Sequence, residues 1–200
     1  MESTILFKLF LYTIIIFSAV IHEYAHAWVA YQEGDPTAKY SGRLTLNPLA
    51  HIDLWGTVII PLFLLFSFGG FIGWAKPVPF NPYNLKDQKY GIAKVAAAGP
   101  LANFSIALLF GVFLRFTSVL AVPLSLIIYI NIFLGFFNLL PFPPLDGSKL
   151  TMVFFPELER GLSSFGFLGI FLAIIFALFI LSPLSNLVYY LIVGQPFAFF

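Results

Sequence analysis

Cysteine is absent from the 200 residues. Disulfides and thiolate metal ligands are therefore excluded, and any metal must be held by His, Asp, Glu or Asn. Charge is scarce as well. Charged side chains make up 10% of the sequence and hydrophobic ones 60%, against roughly 25% charged in an average soluble chain. That balance marks an integral membrane protein whose surroundings are the lipid bilayer. The net charge of +1 gives no electrostatic basis for binding nucleic acid. The length suits a single domain, 1–200. The first apolar run is too long for a signal peptide and has no small-residue cleavage site at its end, so none is expected.

The apolar runs give the order of elements. About 20 apolar residues cross the hydrocarbon core, and spans are read at about 5–31, 92–117, 123–140 and 164–193. The first should stop near Gly34-Asp35-Pro36, and the last should bend or break at Ser182-Pro183. Ser41 to Leu46 alternates like a short strand. The stretch 55–80 is too short and too interrupted by Pro61, Gly69 and Gly70 to cross. It reads as a re-entrant element, with a short helix going in and an extended strand, Phe71 to Val78, coming back. Backbone of that kind is tolerated at depth only against protein or a water-filled cavity. The fold class is thus an all-α polytopic membrane protein: about four full transmembrane helices plus a re-entrant helix/β-hairpin element.

Topology follows from the basic residues. With a returning hairpin, Lys39, Arg43, Lys76, Lys86, Lys89, Lys94, Lys149 and Arg160 share one side, and only Lys8 and Arg115 face the other. The positive-inside rule puts the larger group in the cytoplasm and the N-terminus outside a multi-pass cell-membrane protein.

The first span carries His22-Glu23-Tyr24-Ala25-His26. Positions i and i+4 of a helix share a face, so the two imidazoles can bind one divalent ion, and Glu23 can reach a water on it. No charged residue lies between Leu9 and Ile21. Three polar groups in such a helix are costly unless they bind or pair with something. The bland reading, packing by hydrogen bonds between helices, leaves that cost with no evident offset. For a third ligand the candidates are His51, Asp53 and Asp146. His51 and Asp53 lie in a polar loop, where turn and solvent roles suffice. Asp146 follows the break Pro141-Phe142-Pro143-Pro144 on the same membrane face as the histidines, and its rival role is a turn with Gly147. Asp146 is preferred. Two His and one carboxylate leave a position open for water and suit one zinc ion per chain. Asn103 and Asn138 are further polar residues in apolar helices. They either bond helix to helix or hold a substrate backbone or oxyanion.

Three motifs, His22-Glu23-Tyr24-Ala25-His26, Gly99-Pro100-Leu101-Ala102-Asn103 and Asn138 through Gly147, occur in the order that resembles the site-2 protease family. Gly73-Trp74-Ala75-Lys76-Pro77 resembles that family's membrane-embedded β-hairpin region. The resemblance covers about residues 9–150. It implies an intramembrane zinc metalloprotease that cuts transmembrane segments of other membrane proteins. It also implies His22, His26 and Asp146 as zinc ligands and Glu23 as catalytic acid/base, and it favours Asn138 as a substrate contact. No PDZ-like insertion separates the second and third spans, so the chain resembles the compact branch. The rival reading is a membrane zinc-binding protein or carrier without peptidase activity. Zinc uptake into liposomes without peptide cleavage is its signature.

Overall fold

The computed structural model describes residues 2–68, 73–117, 119–166 and 168–197. Helix α1 (Glu2–Gln32) runs unbroken through the first apolar stretch. It stops where Asp35 N–H turns back to Ala30 O at 2.9 Å. A short α2 (Thr37–Tyr40) follows. The buried Asp35 carboxylate then does the joining. It accepts from Thr37 N–H (3.1 Å), Thr37 Oγ1 (2.5 Å), Asn81 N–H (2.6 Å) and Asn84 Nδ2 (2.9 Å). Those bonds pin residues 81–84 beneath the end of α1.

The stretch after Asp53 goes out and comes back. It enters as a π-helical turn (Leu54–Ile59) and continues as α3 (Ile60–Phe68). Pro61 has no N–H for Thr57 O, so the ordinary i→i−4 ladder cannot be kept there. Asp53 Oδ1 caps the entry by accepting from Gly56 N–H at 2.6 Å. On the return, Trp74 N–H reaches Gly56 O at 3.0 Å and Lys76 N–H reaches His51 O at 3.0 Å. Thr57 Oγ1 donates to Trp74 O at 2.9 Å. The chain has come back to its own starting point.

Two expected strands do not form. Residues 41–46 turn instead, with Arg43 N–H bonded to Ala38 O at 2.8 Å and no neighbouring strand to pair with. Residues 73–80 are extended but belong to no ladder. Pro77 and Pro79 have no N–H to contribute to one. Phe71 and Ile72 lie outside the described residues. Among the described residues there is no β-strand.

Helices α4 (Gly91–Leu114) and α5 (Ala121–Asn138) are the next two spans. The first ends three residues before the expected Thr117. The second begins two residues early and ends two early, where Leu139 and Leu140 turn back on Phe136 O and Phe137 O at 3.1 Å each. After the proline-rich turn come α6 (Asp146–Phe154) and α7 (Pro156–Ser163). The last span is α8 (Leu168–Phe176), a π-helical turn (Ala177–Leu181) and α9 (Ser182–Val193). Pro183 cannot donate to Phe179 O, and the π turn absorbs the mismatch. Among the described residues four helical stretches are thus long and apolar enough to cross a membrane: Ile5–Gln32, Gly91–Leu114, Ala121–Asn138 and Leu168–Val193.

Small residues let these helices approach. Ala93, Ala96, Gly99, Asn103 and Ala107 make a buried stripe on α4. Ala107 meets Ile128 and Ile132 of α5 and Tyr189 of α9 in one apolar cluster. Leu140 and Leu145 meet Ala173, Ala177 and Leu181 in another. The turn that precedes α6 is therefore held against the last span.

Candidate metal centre

One helical turn of α1 presents His22 and His26 on a common face. α4 packs directly against that face. A Cβ on Gly99 would lie 2.4 Å from His22 Nε2 and 2.5 Å from His26 Nε2, so only glycine allows the backbone so near. Pro100, inside α4, has no N–H to keep the helix ladder closed at this point. Val95 O, one residue before the Ala96 carbonyl that Pro100 leaves without its helical donor, accepts from His26 Nδ1 at 2.6 Å.

Asp146 arrives from the far side of the sequence. It opens α6 just after the prolines, and Gly147 lets the turn close: a Cβ there would sit 2.1 Å from Leu139 O. Asp146 Oδ2 lies 3.0 Å from His22 Nε2 and 2.9 Å from His26 Nε2, and the two Nε2 atoms are 3.0 Å apart. All three residues are buried. Asp146 Oδ1 is held by Lys149 Nζ at 3.0 Å. Among the described residues this is the group of His, Asp and Glu side chains placed to hold a metal. His51 and Asp53 are not part of it. His51 Nε2 donates to Thr45 O at 2.9 Å, and Asp53 caps the π turn.

The donor chemistry fits a cation. Val95 O can only accept, so His26 Nδ1 carries the proton and a neutral His26 turns a lone pair toward Asp146 Oδ2. His22 Nδ1 faces Asn103 Oδ1 at 2.6 Å, an oxygen that also only accepts. Two lone pairs and a carboxylate oxygen then face one another at about 3 Å without a donor between them, in a buried site. A shared positive charge resolves that conflict. Zinc bonds of about 2.0–2.2 Å in tetrahedral array set neighbouring ligand atoms about 3.3 Å apart, close to the edges of this triangle. Asn103, Val95 O and Lys149 orient the three ligand candidates, as the outer partners of metal ligands do.

A cavity of about 110 Å³ opens beside the triangle. Glu23, Pro77, Val78, Phe80, Asn138, Pro144 and Lys149 line it together with the three ligand candidates. Glu23 Oε2 accepts the Val78 N–H at 2.9 Å. Asn138 gives one amide proton to Leu134 O at 3.0 Å and keeps a second. Asn103, the other asparagine expected to hold substrate, is fully buried behind His22. Its nitrogen donates to Asn131 Oδ1 at 2.8 Å. Asn131, Lys149 and the Val78 N–H were not singled out from sequence. Asn131 carried the same signal as Asn103, a lone amide in an apolar helix.

A candidate metal site of two His and one Asp lies among membrane-length helices, and comparison with known sequences places this chain in the corresponding class: an intramembrane metalloprotease. The chain belongs to peptidase family M50, the site-2 protease family, whose model matches residues 10–123 and 117–182. It is 37% identical over 191 residues to "Putative zinc metalloprotease YwhC" of Bacillus subtilis, covering 87% of this chain and 81% of that one. It is 33% identical over 158 residues to a protein named in the same terms, Rip2 of Mycolicibacterium smegmatis, covering 74% of this chain and 58% of the relative. The Rip2 of Mycobacterium tuberculosis H37Rv is 29% identical over 179 residues, covering 84% and 65%. No solved structure matches the chain significantly.

Proposed function

We propose that the chain hydrolyses a peptide bond within or beside a transmembrane segment of another membrane protein, with one zinc ion held by His22 Nε2, His26 Nε2 and Asp146 Oδ2. The observation that carries this reading is the meeting of three donor atoms from residues 124 positions apart, within a bundle of apolar helices and beside a glutamate on the same cavity. Zinc bound there supplies Lewis acidity toward a water and toward the scissile carbonyl.

The residues do the rest. Glu23 accepts a proton from the attacking water and returns it to the leaving amine. The Val78 N–H holds the Glu23 carboxylate in place. The second amide proton of Asn138 is aimed at the carbonyl oxygen as charge develops on it. Lys149 Nζ bonds Asp146 Oδ1 at 3.0 Å and orients the carboxylate. The 73–80 segment walls one side of the cavity through Pro77, Val78 and Phe80. Along 77–79 its single N–H goes to Glu23, so a substrate strand laid there would meet carbonyls only.

Eight of the ten Lys and Arg residues fall on one side of this topology. The site then lies toward the cytoplasm, with the N-terminus outside and the element 54–80 re-entrant from the cytoplasmic face. The test is cleavage of a membrane-helix peptide by the zinc-loaded protein in detergent or liposomes. Wild type is expected to cut. Glu23→Gln is expected to keep its zinc and lose cleavage. Undiminished cutting by that variant contradicts the assignment, and zinc uptake into liposomes without cleavage would point to a carrier.

A further inference from the structure

Asn131 of α5 does not line the cavity, and its side chain bonds to Asn103, Ser18 and Ile127 rather than to a ligand candidate, yet it is fully buried in a membrane-length helix. We propose that Asn131, acting through Asn103, is a positioning residue that fixes which ring nitrogen of His22 carries the proton. The proposal rests on the assignment of His22 Nε2 as a metal ligand.

The argument is a chain of donors and acceptors that starts at the backbone. Ile127 O can only accept. The Asn131 atom 2.9 Å from it is therefore the amide nitrogen, Nδ2, and the second proton of that nitrogen lies on Ser18 Oγ at 2.9 Å. With its nitrogen so committed, Asn131 turns Oδ1 toward Asn103. That oxygen accepts from Asn103 Nδ2 at 2.8 Å. Asn103 in turn has only its oxygen left for His22, 2.6 Å from Nδ1. An amide oxygen accepts only, so His22 Nδ1 carries the proton and Nε2 offers its lone pair to the metal position. Flipping either amide sets two like groups against each other at a buried joint. The direction of one peptide carbonyl on α5 is thus transmitted through two side chains to an imidazole on α1.

The circuit also closes in space. Ser18 lies one turn before His22 on the same face of α1, so the bonds run from α1 to α5, to α4 and back to α1. Ser18, Asn103 and Asn131 are all buried. The other two histidines are set differently. His26 meets Val95 O directly, and His51 carries its proton on the opposite nitrogen, Nε2, facing Thr45 O. They are internal references.

The experiment is nitrogen NMR of labelled histidine, with zinc titration, on wild type, Asn131→Leu, and Asn131→Leu combined with Asn103→Asp. In wild type, zinc-loaded and zinc-free, His22 and His26 are expected as Nδ1–H and His51 as Nε2–H. Asn131→Leu frees the Asn103 amide to rotate. His22 then becomes a mixture of tautomers, His26 is unchanged, and zinc affinity falls by about 10–100-fold. Asn103→Asp added to that variant restores both, because a carboxylate presents an acceptor whichever way it turns. A purely packing role for Asn131 predicts no such rescue. The proposal is overturned if His22 stays a single Nδ1–H tautomer in Asn131→Leu, if His22 and His26 change together, or if the double variant binds zinc as weakly as the single one. Should wild type bind no zinc, the zinc-free spectra still judge the relay, and that failure falls on the metal assignment instead.

Discussion

Val78 N–H donates to Glu23 Oε2 at 2.9 Å, and Val78 stands between two prolines. Across 77–79 this is the one backbone donor, and it is spent on the proposed acid/base. The contact couples the out-and-back element to the chemistry. Glutamine keeps an oxygen for Val78, whereas alanine does not. Glu23→Gln and Glu23→Ala should both lose cleavage by about 10²–10⁴-fold. Hydrogen exchange at Val78 should rise in Glu23→Ala and stay near wild type in Glu23→Gln. Equal exchange in both variants would show that the contact does not hold the segment.

Gly99 is where α4 touches the imidazoles. Alanine is the better helix former by about 1 kcal/mol, so Gly99→Ala should not disturb α4 by propensity. Its methyl would sit 2.4–2.5 Å from both Nε2 atoms. The expected result is a folded, membrane-inserted protein with helical circular dichroism like wild type, and zinc content per chain lowered at least about tenfold, the lower end of what disturbing a ligand's surroundings costs. Normal zinc content would mean that α1 and α4 are farther apart than described here.

Asp35 gives a pH dependence. Burial works to raise its pKa, but the hydrogen bonds from Thr37, Asn84 and Asn81 together outweigh burial and hold it below the ordinary carboxylate value. A depressed folded pKa means the stabilisation is full above the unfolded value of about 3.9 and is lost as pH falls through the folded one. Protection of amides 81–85 should therefore be flat from neutral pH down to about 4 and fall below that. Asp35→Asn should weaken the joint by about 1–3 kcal/mol at neutral pH and flatten its acid response. Limited proteolysis or hydrogen exchange across the 81–85 loop reads both.

Asn138 and Asn103 should separate in kinetics. Asn138 lines the cavity, so Asn138→Ala should keep zinc and lower kcat by about 10²–10³-fold, the range for loss of an oxyanion donor. Asn103 lies behind His22, so Asn103→Leu should lose zinc first. If Asn138→Ala releases zinc instead, Asn138 serves the metal rather than the substrate.

Much of this was legible in the sequence because membrane helices announce themselves by length and because polar residues in them are expensive. The four spans, the irregular turn before Ser182-Pro183 and the approach of Asp146 to the His22/His26 pair all follow from apolar runs, prolines and the His-Glu-x-x-His signature. What escaped was set by partners distant in sequence. The alternation at 41–46 suggested a strand, but a strand needs a neighbour, and none passes there. Residues 73–80 looked like a hairpin arm, yet their prolines prevent a ladder, and their one informative contact, with Glu23, is 55 positions away. Asn103 stayed open between bonding helix to helix and holding substrate, because a sequence shows that an amide sits in an apolar helix but not which way its oxygen points. Asn131 was passed over for want of a motif around it.

The claim under all of these is that His22, His26 and Asp146 jointly hold one metal ion. Zinc content per chain, measured on purified wild type and on Asp146→Ala at equal folded fraction, tests it most directly. The account predicts about one zinc per wild-type chain, the occupancy of a closed two-histidine, one-carboxylate site, and loss of most of it in the variant. An Asp146→Ala protein that keeps its zinc with wild-type affinity would contradict it.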